Sequence, residues 1–420
     1  MPSNTITFSA FIRKANFWYN SNGIEPYDDV YNAAAEKSTK QESIAANITR
    51  ALRHYLSQLF SLIILINMNF VLLTEAAFVV VNFLENADFM QAAKNLTFVG
   101  FVFVAVFKTW HDKRQRVRIS LLMRQLYDIY PKQALDQPQY ELQQHLDHYQ
   151  RITFAYVFTI GFTAWCYNFL PLLNYLIFEQ WLQRGTWQPT LPYYVWVPFE
   201  WRNNWLYYPL YVSQALATHN CLASYVATDL LLCAAAVQLI MHFRQLSRNI
   251  EQYEPSVESE WSSVSKDLKF LCAIVSQHYH TLDLCQLINE IFGLPMLINF
   301  ISISFVICFL AFQFTVGVPL GAMIMLISYI SCSLIQIYMI CGYGQELITT
   351  SENVGHAVYN HNWLAADIRY KKMLTIIIQR AQKSATLRAT SFVNVSMGTL
   401  TDLLQLSYKF FALIRTMYAR

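Results

Sequence analysis

From Ile291 to Gln345 the chain runs for 55 residues without one Asp, Glu, Lys or Arg. A folded surface in water needs charged groups, so no soluble domain accommodates such a stretch. One bilayer crossing takes about 20 apolar residues. The run is too long for one crossing and long enough for two. Gly317, Pro319 and Gly321 cluster near its middle and mark the turn between them. A second uncharged run extends from Ile152 to Phe178. Across all 420 residues only 14% are charged while 55% are hydrophobic, against about 25% charged in ordinary soluble domains. These features define an all-α, polytopic membrane protein.

Seven transmembrane helices are expected, at Leu56–Val81, Asn95–Trp110, Ile152–Phe178, Leu206–Met241, Ile291–Phe312, Leu320–Tyr343 and Phe392–Ile414. Several exceed what a bilayer needs, so they are expected to tilt or to continue as helix beyond it. The chain then divides into an N-terminal segment (1–55), spans one to four (56–241), a charged helical loop (242–290), spans five and six (291–345), an anchor segment (346–391) and the last helix with a short tail (392–420). The loop reads as a helix pair broken near Pro255 to Ser263. Residues 1–55 lack the apolar core of a signal peptide, so the first span is expected to act as its own insertion signal.

Basic residues orient the spans. Of 30 Lys and Arg, 24 fall in residues 1–55, 108–151, 242–290 and 346–388, and five in the alternate segments. Basic loops stay on the cytoplasmic side, so the N-terminus is expected to be cytoplasmic and the C-terminus extracellular. A metabotropic seven-helix receptor has the opposite orientation and usually carries Asp/Glu-Arg-Tyr and Asn-Pro-x-x-Tyr motifs, which are not found here.

Other function classes find little support. A net charge of +3 is too small to suggest a nucleic-acid partner. The eight cysteines are scattered, mostly in apolar runs, and no CxxC or HExxH motif occurs. His145 with His148, and His278 with His280, lack a third ligand at suitable spacing and read as solvated side chains. No Ser-His-Asp set, carboxylate pair or Gly-rich phosphate loop stands out, so neither an enzyme nor a cofactor is expected. Asn95-Leu96-Thr97 is the one glycosylation sequon on the expected outer side.

The last span carries a patterned face. Gly398, Asp402, Gln405, Lys409, Ala412 and Thr416 follow one another at spacings of four and three, a single stripe on an α-helix. A polar stripe at membrane depth must face protein or water. It is either a seam gluing this helix to its neighbours or the lining of a pore. Leu413, Ile414 and Met417 add an apolar collar, and such constrictions gate pores by dewetting. One helix cannot enclose a pore, so the second reading requires several subunits.

The segment from Tyr359 to Ile414 resembles the C-terminal signature of insect odorant receptors. Tyr359 and Trp363 stand four apart, and a basic cluster with an aliphatic run follows from Arg369 to Ile378. Arg380, Gln382 and Lys383 form an Arg-x-Gln-Lys-like element, and the helix carries Phe392, Thr399, Ser407, Tyr408 and Phe411. Elsewhere the similarity is architectural: length, seven spans, the inside N-terminus and an acidic residue, Asp229, late in span four.

The resemblance implies a subunit of an odorant-gated, nonselective cation channel, assembled with a shared co-receptor as a heterotetramer. The implied setting is the plasma membrane of olfactory sensory neuron dendrites, and the implied ligand is a small volatile hydrophobic odorant. The loop of about 45 residues near 242–290 is shorter than the co-receptor's, which implies the tuning subunit. Leu413 takes the hydrophobic gate position, and Thr416 and Met417 the outer pore; Lys409 and Asp402 depart from commonly uncharged positions. The implied pocket lies between spans two, three, four and six. There Phe158, Gly161 and Trp165 share a face, where the glycine either leaves room for a ligand or lets helices approach. Val99, Gly100 and Phe103, then Gln214, Thr218 and Leu222, then Ile324, Ile327 and Ser328 complete the candidate set. A metabotropic receptor or a taste-type receptor channel is the alternative.

Overall fold

The computed structural model describes residues 5–27, 44–86, 89–175, 190–202, 204–256, 261–316 and 320–418. They form helices α1 (Ser9–Ser21), α2 (Ile44–Val81), α3 (Phe89–Arg114), α4 (Arg116–Ile129), α5 (Leu142–Tyr175), α6 (Tyr207–Glu251), α7 (Trp261–Val316), α8 (Leu320–Asn360), α9 (Ile368–Ala381) and α10 (Met397–Tyr418). A π-helical turn, Asn82–Asn86, closes α2. Strands β1 (Arg388–Ala389) and β2 (Val393–Asn394) pair antiparallel just before α10.

Helices α2, α3, α5, α6, α7, α8 and α10 occupy the seven expected spans. Among the described residues five of them, α2, α3, α6, α7 and α8, are long and apolar enough to cross a membrane by length and composition. The long helices run past the expected span limits: α6 to Glu251 and α8 to Asn360, while α7 starts at Trp261, thirty residues before the uncharged run. The expected turn at Gly317 and Pro319 lies outside the described residues, and α8 takes in Gly321. The last helix starts at Met397 rather than Phe392, because residues 388–394 form the hairpin.

Helix α6 is the axis of the bundle. Every residue from Asn220 to Phe243 is buried, so this stretch is enclosed by neighbouring helices on all sides. Its alanines, serine and cysteines (Ala223, Ser224, Ala227, Cys233, Ala234) let neighbours approach closely. It packs against α1, α2, α3, α5, α7 and α8.

Helix α1 falls within residues 1–55, read above as lacking the apolar core of a signal peptide. It buries Phe11, Ile12, Ala15, Asn16 and Tyr19, one helical face, against α6. The Asn22 amide donates to the Asn220 carbonyl at 3.1 Å and to Ser224 Oγ at 2.8 Å. Gly23 then turns the chain at φ +67°, where a Cβ would press on the Ser57 carbonyl and Ser61 nitrogen of α2 at 3.0 Å.

The hairpin is wedged between α7 and α8. A Cβ at Gly293 would stand 3.1 Å from the Arg388 carbonyl, and one at Gly344 would collide with the Val395 carbonyl. These two glycines let α7 and α8 close on the strand pair that leads into α10.

Candidate ligand cavity and exposed terminal helix

A narrow cavity of about 50 Å³ lies within the bundle, between α3, α5, α6, α7, α8 and the 190–199 segment. Its wall is mostly aromatic: Phe98, Phe101, Tyr167, Tyr193, Tyr225 and Tyr329. These rings brace one another. Phe98 meets Tyr193 edge-on at 4.9 Å, and Phe101 stacks on Tyr225 at 4.8 Å. The Gln214 amide clamps Tyr193, donating to its carbonyl at 3.1 Å and accepting from its N–H at 3.3 Å. Thr218 Oγ1 donates to the Tyr193 hydroxyl at 3.2 Å. The free space suits a few waters, so a larger ligand must displace aromatic side chains to enter.

Beneath the cavity sits a buried polar cluster. Lys108 Nζ lies 2.6 Å from Asp229 Oδ1, with the two side chains 1% and 4% exposed. Asp229 Oδ2 accepts from the Tyr156 hydroxyl at 2.9 Å and from Gln336 Nε2 at 2.7 Å. Lys108 also stands over the Tyr225 ring, 4.4 Å from its centroid. Tyr225 and Gln336 belong both to this cluster and to the cavity wall. One turn along α3, Asp112 Oδ2 accepts from Tyr19 of α1 at 2.9 Å and from Thr228 of α6 at 2.7 Å. The two polar groups, one turn apart on α3, lie between the cavity floor, the bundle axis and the N-terminal helix.

Among the expected pocket residues, Thr218 lines the cavity and Gln214 holds its wall. Ser328 accepts from Thr163, a wall residue, at 3.3 Å. Leu222 is buried in the core away from the cavity. Phe158, Gly161 and Trp165 are not brought to it. Phe158 is 60% and Trp165 47% exposed, and nothing lies within 4 Å of a Cβ at Gly161. The cavity face of α5 is Ile160, Thr163, Ala164 and Tyr167 instead. Phe154, Phe158 and Phe162 stack as a ladder along its outside. Both faces of α5 are aromatic, so spacing alone does not tell lipid-facing rings from cavity-facing ones.

The same holds for α3. Phe98 and Phe101 face the cavity, while Val99, Gly100 and Phe103 line a lateral apolar crevice of about 770 Å³ between α2, α3 and α7. Ser302 and Val306 border both spaces. Ile324 and Ile327 lie exposed on α8. The Asn95 side chain is fully buried and donates to the Glu75 carbonyl at 3.0 Å, so the sequon is closed to a glycan. The Glu75 carboxylate is buried and has no hydrogen-bond partner among the described residues. Among the described residues no group of three metal-ligating side chains occurs.

Helix α10 packs on α7 and α8 through a face that includes the buried Ser407, and Phe410 stacks on Phe305 at 5.3 Å. Asp402, Gln405, Lys409, Leu413, Thr416 and Met417 are exposed in the single chain. Neither Asp402 nor Lys409 enters an ion pair among the described residues, and Thr416 Oγ1 turns back to the Leu413 carbonyl at 2.8 Å. The stripe is not a seam within this chain.

The sequence model of the 7tm Odorant receptor family matches residues 88–408. The chain belongs to that family. Among its relatives, putative odorant receptor 85d of Drosophila melanogaster is 39% identical over 98% of this chain and 95% of that one. Odorant receptor 85b of the same fly is 37% identical over 97% and 99% of the two chains. The insect olfactory receptor OR5 from Machilis hrabei, solved in complex with eugenol, superposes with a TM-score of 0.78 over 98% of both chains at 14% identity. That likeness extends the fold across nearly the whole chain, and membership of the family makes the chain a multi-pass membrane receptor rather than an enzyme. The signature segment keeps its shape through local bonds. Trp363 Nε1 donates to the Tyr359 carbonyl at 3.1 Å, and Asp367 caps α9 by accepting from the Arg369 N–H at 2.8 Å.

Proposed function

We propose that this odorant receptor is the odorant-binding subunit of a heteromeric, odorant-gated, nonselective cation channel formed with a shared co-receptor in the plasma membrane of olfactory neuron dendrites. The observation that carries the reading is α10. It presents one polar stripe with an apolar collar, left uncovered by its own chain. A charged or polar face at membrane depth requires water or partner protein. Four such helices around an axis satisfy that requirement and enclose a pore. The N-terminus is cytoplasmic in this reading, on the side that collects 24 of the 30 basic residues.

A volatile apolar ligand enters the aromatic cavity and gains roughly 25 cal/mol per Å² of buried apolar surface. The cavity is tight in this conformation, so the ligand favours a conformer with the rings spread. It shifts the gating equilibrium by its preference for that conformer. The displaced wall includes Tyr225 and Gln336, which are tied to the bundle axis through Asp229. Axis movement withdraws Leu413 from the centre of the pore.

Whole-cell recording with and without an insect co-receptor, over a panel of volatile odorants and with G-protein signalling blocked, tests this. Fast cation current that needs the co-receptor and survives the block is expected. Good surface expression with silence, and a response recovered only through G-protein coupling, would overturn it.

A further inference from the structure

A second, polar cavity of about 530 Å³ lies between α7, the end of α9 and the β1 turn. Arg380, Lys383 and Arg388 converge on its wall, and Ser384, Thr390 and Ser391 add hydroxyls. Among the described residues none of the three cations is ion-paired. The one acid on the wall, Glu290, is ion-paired with Arg118 and accepts from Gln286 Nε2, also on the wall, at 3.1 Å. The backbone is tied in place around the cavity. Arg380 Nη1 donates to the Lys383 carbonyl at 2.9 Å, Arg388 Nε to Thr386 Oγ1 at 3.0 Å, and the Arg388 N–H to Asn289 Oδ1 at 2.8 Å. The C-terminus of α9 contributes about half a negative charge nearby, which three cations outweigh. The result is a donor-rich cavity in which three cations outnumber the one carboxylate, itself paired with Arg118.

Its depth narrows the ligand. The α7 wall runs from Leu282 to Glu290, and charge disappears from α7 at Ile291. Eight residues of helix rise span about 12 Å, and the headgroup layer outside the hydrocarbon is roughly 5–8 Å thick. The cavity therefore starts at headgroup depth and reaches just beyond it, where a polyphosphorylated headgroup projects. The cytoplasmic leaflet supplies anionic lipid, and arginines bind phosphate oxygens with paired N–H donors.

We propose that this cavity binds the phosphorylated headgroup of an inositol-type phospholipid. The site rests on the inside placement of this face in the proposed topology. Arg388 and Thr390 belong to the hairpin that leads into α10, so the bound headgroup ties the base of that helix to α7.

The test uses the full chain purified in detergent and a fluorescent dioctanoyl phosphatidylinositol 4,5-bisphosphate, followed by polarisation. Saturable binding is expected, with none for the phosphatidylcholine counterpart. Lys383→Gln with Arg388→Gln weakens it at least tenfold. Arg388→Lys keeps it within about threefold. Lys371→Gln with Lys372→Gln, on α9 but outside the cavity, leaves it within twofold. Elution as a folded species accompanies each variant, and retention by Arg388→Lys separates lost charge from lost fold. Equal binding of phosphatidylcholine, or equal weakening by the Lys371/Lys372 pair, overturns the site. Displacement by inositol trisphosphate as potent as by the unlabelled lipid overturns the lipid source and leaves a soluble phosphate ligand. Labelling of Lys383→Cys by an impermeant maleimide from outside intact cells would sink the topology while the detergent result stands on its own.

Discussion

Replacing Asp229 by alanine strands the Lys108 ammonium inside the bundle. Lys108 is 2.6 Å from that carboxylate and 1% exposed, and Tyr156 and Gln336 lose the same acceptor. Removing one partner of a buried ion pair costs about 3–5 kcal/mol, roughly a 10²- to 5 × 10³-fold shift from folded to unfolded chain. Lys108→Met has the same sign, since it leaves the carboxylate uncompensated. Lys108→Met with Asp229→Leu behaves differently, because two apolar side chains replace the pair. It recovers the part of the loss due to the stranded charge and falls short by about 1–3 kcal/mol for each of the Tyr156 and Gln336 donors left without the carboxylate. The assay is the surviving monodisperse fraction after heating, followed by fluorescence-detected size exclusion, with the coupling taken from the double-mutant cycle. A double variant no better than either single would refute the reasoning, as would an Asp229→Ala chain as stable as wild type.

Ala164→Trp fills a cavity with about 50 Å³ of free space and is expected to raise the odorant EC50 at least tenfold, whereas Trp165→Ala, on the outside of α5, leaves it within about threefold; dose–response recording with the co-receptor reads both. Leu413→Ala removes about 1.5–3 kcal/mol of apolar closure and is expected to raise basal current roughly tenfold or more, measured without odorant; unchanged basal and evoked currents would remove Leu413 from the gate. Burial, then the nearby Arg244 guanidinium, pushes His145 down to about 4 from an ordinary 6.5. The neutral ring is favoured in the fold, so its contribution is complete above pH 6.5 and is lost as pH falls toward 4. Thermal stability measured across that window is expected to decline less steeply in His145→Gln, and an identical slope would dismiss the residue.

Charge was the legible part of this sequence. The uncharged run after Ile291 and the break near Pro255 correspond to α7, α8 and the α6–α7 connection, because both depend on local composition. The signature from Tyr359 onward pointed to the family whose model matches residues 88–408. Register against neighbouring helices was not legible. Phe158 and Trp165 share a face as good as that of Ile160 and Tyr167, and only the partner helices decide which turns inward. Lys108 and Asp229 are 121 residues apart, so no local pattern announces their pairing. Helix α1 did carry a signal, the 3–4 spacing of Phe8, Phe11, Ile12, Ala15 and Tyr19, but it sits among polar residues that mask it. The basic cavity needed three separate elements to bring Arg380, Lys383 and Arg388 together.

The docking of α1 on α6 sets an order on biosynthesis. Asn22 bonds to Asn220 and Ser224, 198 and 202 residues further along. At a synthesis rate of about 5–20 residues per second, the α1 sequence leaves the ribosome roughly 10–40 s before its acceptor surface exists. Its apolar face waits through the insertion of three spans before it can settle. Tyr19 also donates to Asp112, so the first of the described helices to be made is not placed until the fourth span is in. It closes the bundle only after α6 is seated, which makes its docking a natural checkpoint for a correctly inserted chain.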